Sequence, residues 1–257
     1  MIDSGKQIDL NGDGIIEMGE ENYYTTDPNE YTYIVDVFVV VDEEYKEYYN
    51  LAQFSYPWQN DRWKDITKDS IDEAGNYFLN TYQIKLNISH IDGNWDSDDG
   101  ELGCYQLLKE VMDEKDWIGT KYGTDNYNSD ILLAFTGQDK FHPYMFNRSF
   151  GMAFDYDAAA IVKIPSIYSN TKWEIEDPIV NLIQHEVSHL FGAPDHYDDR
   201  FCVMDKTWPW PIGEGVLIGM GNLWTTHMWD DECYDIIESN KSEVALFKDG
   251  GEYDINN

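Results

Sequence analysis

The sequence HEVSHLFGAPDH, at residues 185–196, restricts the fold more than any other stretch, because it describes a helix that must stop abruptly. Upstream of the break, apolar residues recur at helical spacing: Ile179, Val180, Leu182, Ile183, Val187 and Leu190. The pair Asp177-Pro178 predicts the start of this helix, with an acidic N-cap and a proline in the first turn. Gly192 can adopt the left-handed backbone that ends a helix, and Pro194 prevents the helix from resuming. The chain is therefore expected to turn back toward the end of its own helix.

Two histidines on this helix indicate a metal site. His185 and His189 are four residues apart, so their rings lie on one face and point to a common position. Neutral imidazole binds Zn²⁺ at about 2.0–2.1 Å. Glu186 lies about 100° around the helix from His185, where it can hold a metal-bound water without binding the metal itself. We therefore predict a zinc site in which Glu186 is the catalytic base.

The residue that completes the site is expected to follow the helix break. Asp195 and His196 stand side by side there. Both offer a donor that zinc accepts, a carboxylate oxygen at about 2.0–2.2 Å or an imidazole nitrogen. The residue types alone leave the third ligand open between these two. The residue of the pair that does not bind the metal would be placed to hydrogen-bond one of the metal-binding side chains instead.

The stretch HEVSHLFGAPDHY and the later sequence Cys202-Val203-Met204 resemble the metzincin metallopeptidases. The second stretch is similar to the Met-turn of that clan, in which a methionine forms a hydrophobic floor beneath the metal. The resemblance implies this role for Met204. It covers about residues 31–240, but only the two short motifs are specific.

The same resemblance implies a ligand set and an activity. Metzincins commonly have a histidine three residues after the glycine, and here that position is Asp195, as in the snapalysin branch. The resemblance therefore implies His185, His189 and Asp195 as zinc ligands, with His196 as the alternative third ligand. It further implies a zinc-dependent endopeptidase that acts on protein or peptide substrates.

Other residues are candidates for contacts with a substrate. The strand predicted at 149–154, near the edge of the sheet, can pair with an extended peptide. Tyr197 is a candidate donor to the oxyanion of a tetrahedral intermediate. The loop 205–221 contains Trp208 and Trp210, which are expected either to line a pocket beside the metal or to belong to the core.

The stretch DLNGDGIIEMGE near the N-terminus predicts a calcium site. It fits the EF-hand loop of about 12 residues, including its turn glycine and its final glutamate. Each expected ligand supplies an oxygen, from its side chain or, at Ile15, from the backbone carbonyl. The expected ligands are Asp9, Asn11, Asp13, Ile15 and Glu20. Too few residues precede the loop for an entering helix. We therefore expect Ca²⁺ to bind in a separate N-terminal segment, residues 1–30, ahead of a catalytic domain at residues 31–257.

Hydrophobic periodicity predicts an α+β fold with an α/β-like N-terminal part. Strands are predicted at 32–42, 83–91, 130–137, 149–154 and 158–164, and helices at 61–81, at 102–117, from 177 and at 222–240. This order, with the resemblance, indicates a mixed, mostly parallel five-stranded sheet with an active-site helix and a C-terminal helix. The segment 92–101 is predicted to be an acidic loop.

The charge of the chain excludes several kinds of partner. Its 257 residues include 17 Lys and Arg against 50 Asp and Glu, a net charge of −33, so nucleic acid and anionic membrane surfaces would be repelled. No apolar run approaches the roughly 18 residues of a membrane span. No signal peptide is visible. We expect a secreted, monomeric hydrolase whose signal peptide is not part of this sequence. Cys104, Cys202 and Cys233 allow at most one intramolecular disulfide, and the sequence does not choose the pair.

Two other functions fit parts of the pattern. A thermolysin-like metalloprotease would take a glutamate from a later helix as its third ligand, and it would need a long uninterrupted helix after His189. Gly192 and Pro194 argue against that helix. A zinc- and calcium-stabilised binding module without catalysis would use the same metal sites but would have no need of Glu186.

Overall fold

A computed structural model describes residues 33–51, 62–97, 103–117, 129–138, 151–154, 157–163, 173–196, 202–204 and 228–245. The predicted calcium loop at residues 9–20, Tyr197, Trp208 and Trp210 lie outside the described residues. Their proposed roles therefore remain predictions.

In the part of the chain that the structure describes, five strands form one sheet. They are β1 (Tyr33–Asp42), β2 (Ile84–Trp95), β3 (Ile131–Thr136), β4 (Gly151–Phe154) and β5 (Ala159–Lys163). Their order across the sheet is β2-β1-β3-β5-β4. The strands β2, β1, β3 and β5 run parallel to one another, and β4 is antiparallel to β5. The predicted mixed, mostly parallel sheet is thus confirmed, and among the described residues β4 lies at its edge, as predicted.

Helices cover both faces of the sheet. They are α1 (Glu43–Leu51), α2 (Arg62–Tyr82), α3 (Cys104–Glu114), α4 (Trp173–Leu190) and α5 (Asp231–Ala245). The four valines at odd positions from Val35 to Val41 pack in one core with α2, α4 and α5. Phe38 and Val40, which point the other way, pack in a second core with α3. The central strands are apolar on both sides because both sides are buried, as is usual for parallel strands.

The structure differs from the predicted elements at several boundaries. The helix α4 begins at Trp173, four residues before the predicted start at Asp177, because residues of ordinary helix propensity extend it upstream. The strand β2 continues to Trp95, inside the segment predicted as a loop, because an irregular register keeps it paired with β1 as far as Asp42. The helix α1 was not predicted at all.

The last helix also starts later than predicted. Residues 228–230 are not helical, and α5 runs from Asp231 to Ala245. The Asp230 side chain accepts a hydrogen bond from the Cys233 backbone N–H at 2.8 Å, which is the geometry of an N-cap. This cap fixes the start of the helix, so the predicted start at residue 222 was wrong. In the described part of the chain, no helix has the length and apolar character needed to cross a membrane.

Candidate active site

The helix α4 carries His185, Glu186 and His189 into the interior of the molecule. It lies against β4 and β5 on one side and against α2 on another. His185 and Glu186 are buried, while the His189 side chain is 19% exposed. A carboxylate and two imidazoles are thus held in a largely apolar layer, where polar groups require partners.

Three donor atoms converge at the end of α4. The two Nε2 atoms of His185 and His189 are 3.2 Å apart. The Oδ1 atom of Asp195 lies 3.3 Å from the first and 3.1 Å from the second. The structure therefore brings together the two predicted histidines and Asp195 in a single group.

Backbone carbonyls fix the orientation of both rings. The Nδ1 of His185 donates to the Val203 carbonyl at 2.8 Å, and the Nδ1 of His189 donates to the Ala193 carbonyl at 2.7 Å. A carbonyl oxygen only accepts hydrogen bonds, so each Nδ1 must carry a proton. In the neutral rings the lone pairs are then on Nε2 and point at each other and at Asp195. Partners of this kind on the outer nitrogen are typical of metal-binding histidines.

This donor set fits a divalent cation. Two lone pairs and a carboxylate about 3 Å apart repel one another unless a positive charge lies among them. Tetrahedral Zn²⁺ with bonds of about 2.0–2.2 Å places its ligand atoms roughly 3.3–3.6 Å apart, close to the distances observed. Burial opposes protonation of His189, but the hydrogen bond to Asp195 and the charge of Glu186 outweigh burial and raise the pKa of His189. The site is therefore one that favours positive charge.

The turn after α4 delivers Asp195 to the site. Gly192 has a φ of 86°, in the left-handed region, and its backbone N–H donates to the His189 carbonyl at 2.8 Å. The Ala193 N–H donates to the Ser188 carbonyl at 3.1 Å, which completes the closure of the helix end. The helix ends at Leu190, so the long helix after His189 that a thermolysin-like protease would need is not present.

His196 lies apart from this group. Its Nε2 atom is 3.0 Å from the Cys233 sulfur and 3.4 Å from a carboxylate oxygen of Asp230. Its backbone N–H donates to the Met204 carbonyl at 2.9 Å. The alternative in which His196 rather than Asp195 joins the two helical histidines does not match this geometry.

The predicted Met-turn lies beside the site. Met204 is fully buried in the same core as α4. The neighbouring Val203 carbonyl accepts the hydrogen bond from His185, so this turn supports one ring of the group directly. The role of Met204 as a floor beneath a metal remains a prediction.

Glu186 lies against the edge strand β4. A Cβ atom built on Gly151 would be only 2.2 Å from the Oε1 atom of Glu186. The carboxylate therefore occupies space that any other residue at position 151 would fill. No sequence motif pointed to Gly151 as part of the site. The available signal was a glycine inside a strand, which often marks a close approach of another group.

A protein-family model matches the part of the chain that carries this group. The model described as metallo-peptidase family M12B, reprolysin-like, matches residues 68–196, just over half of the chain. The match runs from α2 to the turn that follows α4 and so includes every residue of the three-donor group. No curated protein matches the sequence.

Several solved structures are similar in fold. Archaemetzincin from Methanopyrus kandleri is 16% identical, with 81% of this chain and 96% of that chain covered and a TM-score of 0.47. A zinc-dependent peptidase from Methanocorpusculum labreanum is 15% identical, with coverages of 78% and 99% and a TM-score of 0.48. A chaperone–substrate complex is 11% identical, with coverages of 84% and 36% and a TM-score of 0.50. These identities are too low to transfer a function.

Proposed function

Since the chain belongs to the reprolysin-like metallopeptidases of family M12B, we propose that it is a zinc-dependent endopeptidase whose active site is the group around His185, Glu186, His189 and Asp195. The resemblance to metzincins noted in the sequence agrees with this family. The observation that carries the proposal is the convergence of three metal-binding atoms beside a buried glutamate.

The donor set indicates a catalytic metal site. His185, His189 and Asp195 would hold zinc with three protein ligands, and catalytic zinc sites have three where structural sites have four. When bound, zinc supplies a Lewis acid that polarises a carbonyl and lowers the pKa of a water toward about 7. The carbonyls of Val203 and Ala193 keep both rings in the orientation that binding requires.

Glu186 is the candidate for proton transfer. It follows the first histidine on α4 and is held between that helix and β4. Its carboxylate accepts a proton from the water that attacks the scissile carbonyl, and it then gives that proton to the leaving amine nitrogen. Because the residue is buried, few water molecules compete for this proton.

The edge strand β4 is the candidate for binding the substrate backbone. It pairs with β5 on one side and ends the order of the sheet in the described residues. An extended peptide can add to such an edge through main-chain hydrogen bonds. Since Gly151 of this strand touches Glu186, a peptide there would lie beside the catalytic group. Recognition along an edge needs no free chain end, which supports cleavage within a protein rather than at its terminus.

The test is the substitution Glu186→Gln, which removes the base and keeps the shape. We expect casein cleavage to fall about 10²- to 10⁴-fold, the usual contribution of a general base, while the zinc content stays at the wild-type value. The control is Glu47→Gln, which makes the same change at an exposed position on α1. Phenanthroline is expected to abolish the wild-type activity.

Two outcomes would contradict the proposal. Cleavage by the Glu186→Gln variant at the wild-type rate would exclude Glu186 as the base. Wild-type protein that contains zinc but cleaves neither casein nor gelatin would favour the non-catalytic binding module.

A further inference from the structure

A second group of metal-binding side chains lies beside the turn that carries Asp195. It consists of His196, Cys202, Asp230 and Cys233, and one ligand atom from each lies within 4.8 Å of all the others. His196 and the two cysteines are buried, and the Asp230 side chain retains 17% of its exposure. We propose that these four residues bind a second zinc ion, separate from the catalytic site and structural in role.

The chemistry of the four donors matches structural zinc. Such sites are closed tetrahedra of four protein ligands in which thiolate and imidazole dominate, and a carboxylate oxygen is also accepted. Bonds of about 2.0–2.3 Å place the ligand atoms roughly 3.3–3.8 Å apart. The His196 nitrogen is 3.4 Å from the Asp230 oxygen and 3.0 Å from the Cys233 sulfur, both close to these distances, and no two of the four ligand atoms are more than 4.8 Å apart. Two sulfur donors exclude calcium and magnesium, which take oxygen.

A disulfide between Cys202 and Cys233 is the competing state of the two sulfurs. A disulfide would not explain why the His196 imidazole and the Asp230 carboxylate also lie beside the two sulfurs. In addition, the backbone N–H groups of Met204 and Asp230 approach the Cys202 sulfur, at 3.4 and 3.5 Å. Amide donors of this kind stabilise a negatively charged thiolate, whereas a neutral sulfur is a weak acceptor. The surroundings therefore favour metal binding.

The ligands come from three separate parts of the chain. His196 is on the turn after α4, Cys202 opens the Met-turn, and Asp230 with Cys233 forms the start of α5. An ion bound to all four would fix these parts to one another and would contribute to folding stability. It would also act on the catalytic group, because His196 follows Asp195 directly and Val203, beside Cys202, supports His185.

Cobalt replacement tests the second site independently of catalysis. Thiolate bound to Co²⁺ gives an intense near-ultraviolet charge-transfer absorption, and the group of His185, His189 and Asp195 has no sulfur donor. We expect this absorption in the Co²⁺-substituted wild-type protein, and we expect two zinc ions per chain in the protein as purified. The substitution Cys233→Ser is expected to remove the absorption and one zinc ion. The control Cys104→Ser changes a buried cysteine in the other core and is expected to leave both the absorption and the zinc content unchanged.

A thiol count separates metal binding from a disulfide. Protein unfolded without reductant and with a chelator present is expected to show three reactive thiols. One reactive thiol, or cobalt-loaded wild-type protein without the charge-transfer absorption, would overturn the proposal. Both are measured on the wild type, so they decide even if Cys233→Ser does not fold. A protein that shows the absorption but cleaves no peptide would support the second site while contradicting the proposed activity.

Discussion

The contact between Gly151 and Glu186 gives the sharpest test of how the catalytic base is positioned. In the substitution Gly151→Ala, the new methyl group would begin 2.2 Å from the Oε1 atom of Glu186. Ordinary contact between such atoms begins near 3.4 Å, so the two groups must separate by about 1.2 Å. The base is at the end of a side chain on a rigid helix, and we expect it to move more readily than the strand.

The size of the effect follows from this displacement. A misplacement of about 1 Å at a reacting group can reduce a rate about 100-fold, equivalent to about 2.7 kcal/mol in the activation free energy. We therefore expect kcat for casein cleavage by the Gly151→Ala variant to fall roughly 100-fold. The zinc content is expected to stay unchanged, because the metal-binding atoms come from the helix end and its turn.

A double-substitution cycle separates a moved base from a damaged strand. In the Glu186→Ala background there is no carboxylate to displace, so Gly151→Ala should cause no further loss of activity. A similar loss in both backgrounds would mean that the methyl group disturbs β4 itself. Wild-type kcat in the single variant Gly151→Ala would refute the reasoning, since it would show that the added methyl group does not displace the Glu186 carboxylate from its active position.

Two further predictions concern stability. The substitution Gly192→Ala puts a methyl group on a residue with a φ of 86° and only 3.0 Å from the Asn240 Nδ2 atom. We therefore expect the free energy of unfolding to fall by about 1–2 kcal/mol, measured as a lower melting temperature with zinc present. An unchanged melting temperature would contradict this prediction. At Glu44, burial and the nearby charge of Asp42 raise the pKa from 4.5 to about 7, so the folded state holds this proton more tightly and loses stability as the pH rises through that window. The variant Glu44→Gln should therefore gain melting temperature relative to the wild type at pH values above about 7 but not below about 4.5, and a difference independent of pH would exclude this account.

The parts of the fold that sequence predicts well are those with a strong local pattern. The runs of Val and Ile in β1 and of Leu in β3 identify buried strands, and Gly192 identifies the end of α4. The helix α1 was missed because its sequence, EEYKEYYNL, has aromatic and charged residues without a clear apolar stripe. The start of α5 depends on the cap formed by Asp230, and apolar residues upstream of this cap suggested an earlier start.

The parts of the site that depend on contacts between distant residues could not be predicted. His185, Glu186 and His189 belong to one helix, so their spacing alone predicts a common face. Gly151 precedes Glu186 by more than thirty residues, and no local pattern connects the two. The same holds for His196 and Cys233, which approach each other only after α5 has packed beside the Met-turn.

The choice between Asp195 and His196 shows why local sequence leaves some questions open. Successive side chains of an extended segment point to opposite sides, so two adjacent residues cannot both face the same metal. Which one does so depends on the direction in which the chain leaves Gly192, and the hydrogen bond from the His196 N–H to the Met204 carbonyl fixes that direction. Asp195 then faces the two helical histidines, and His196 faces Cys233. The same alternation that excludes His196 from the first group makes it available to the second, so adjacent residues on one turn connect the catalytic group to the proposed structural zinc.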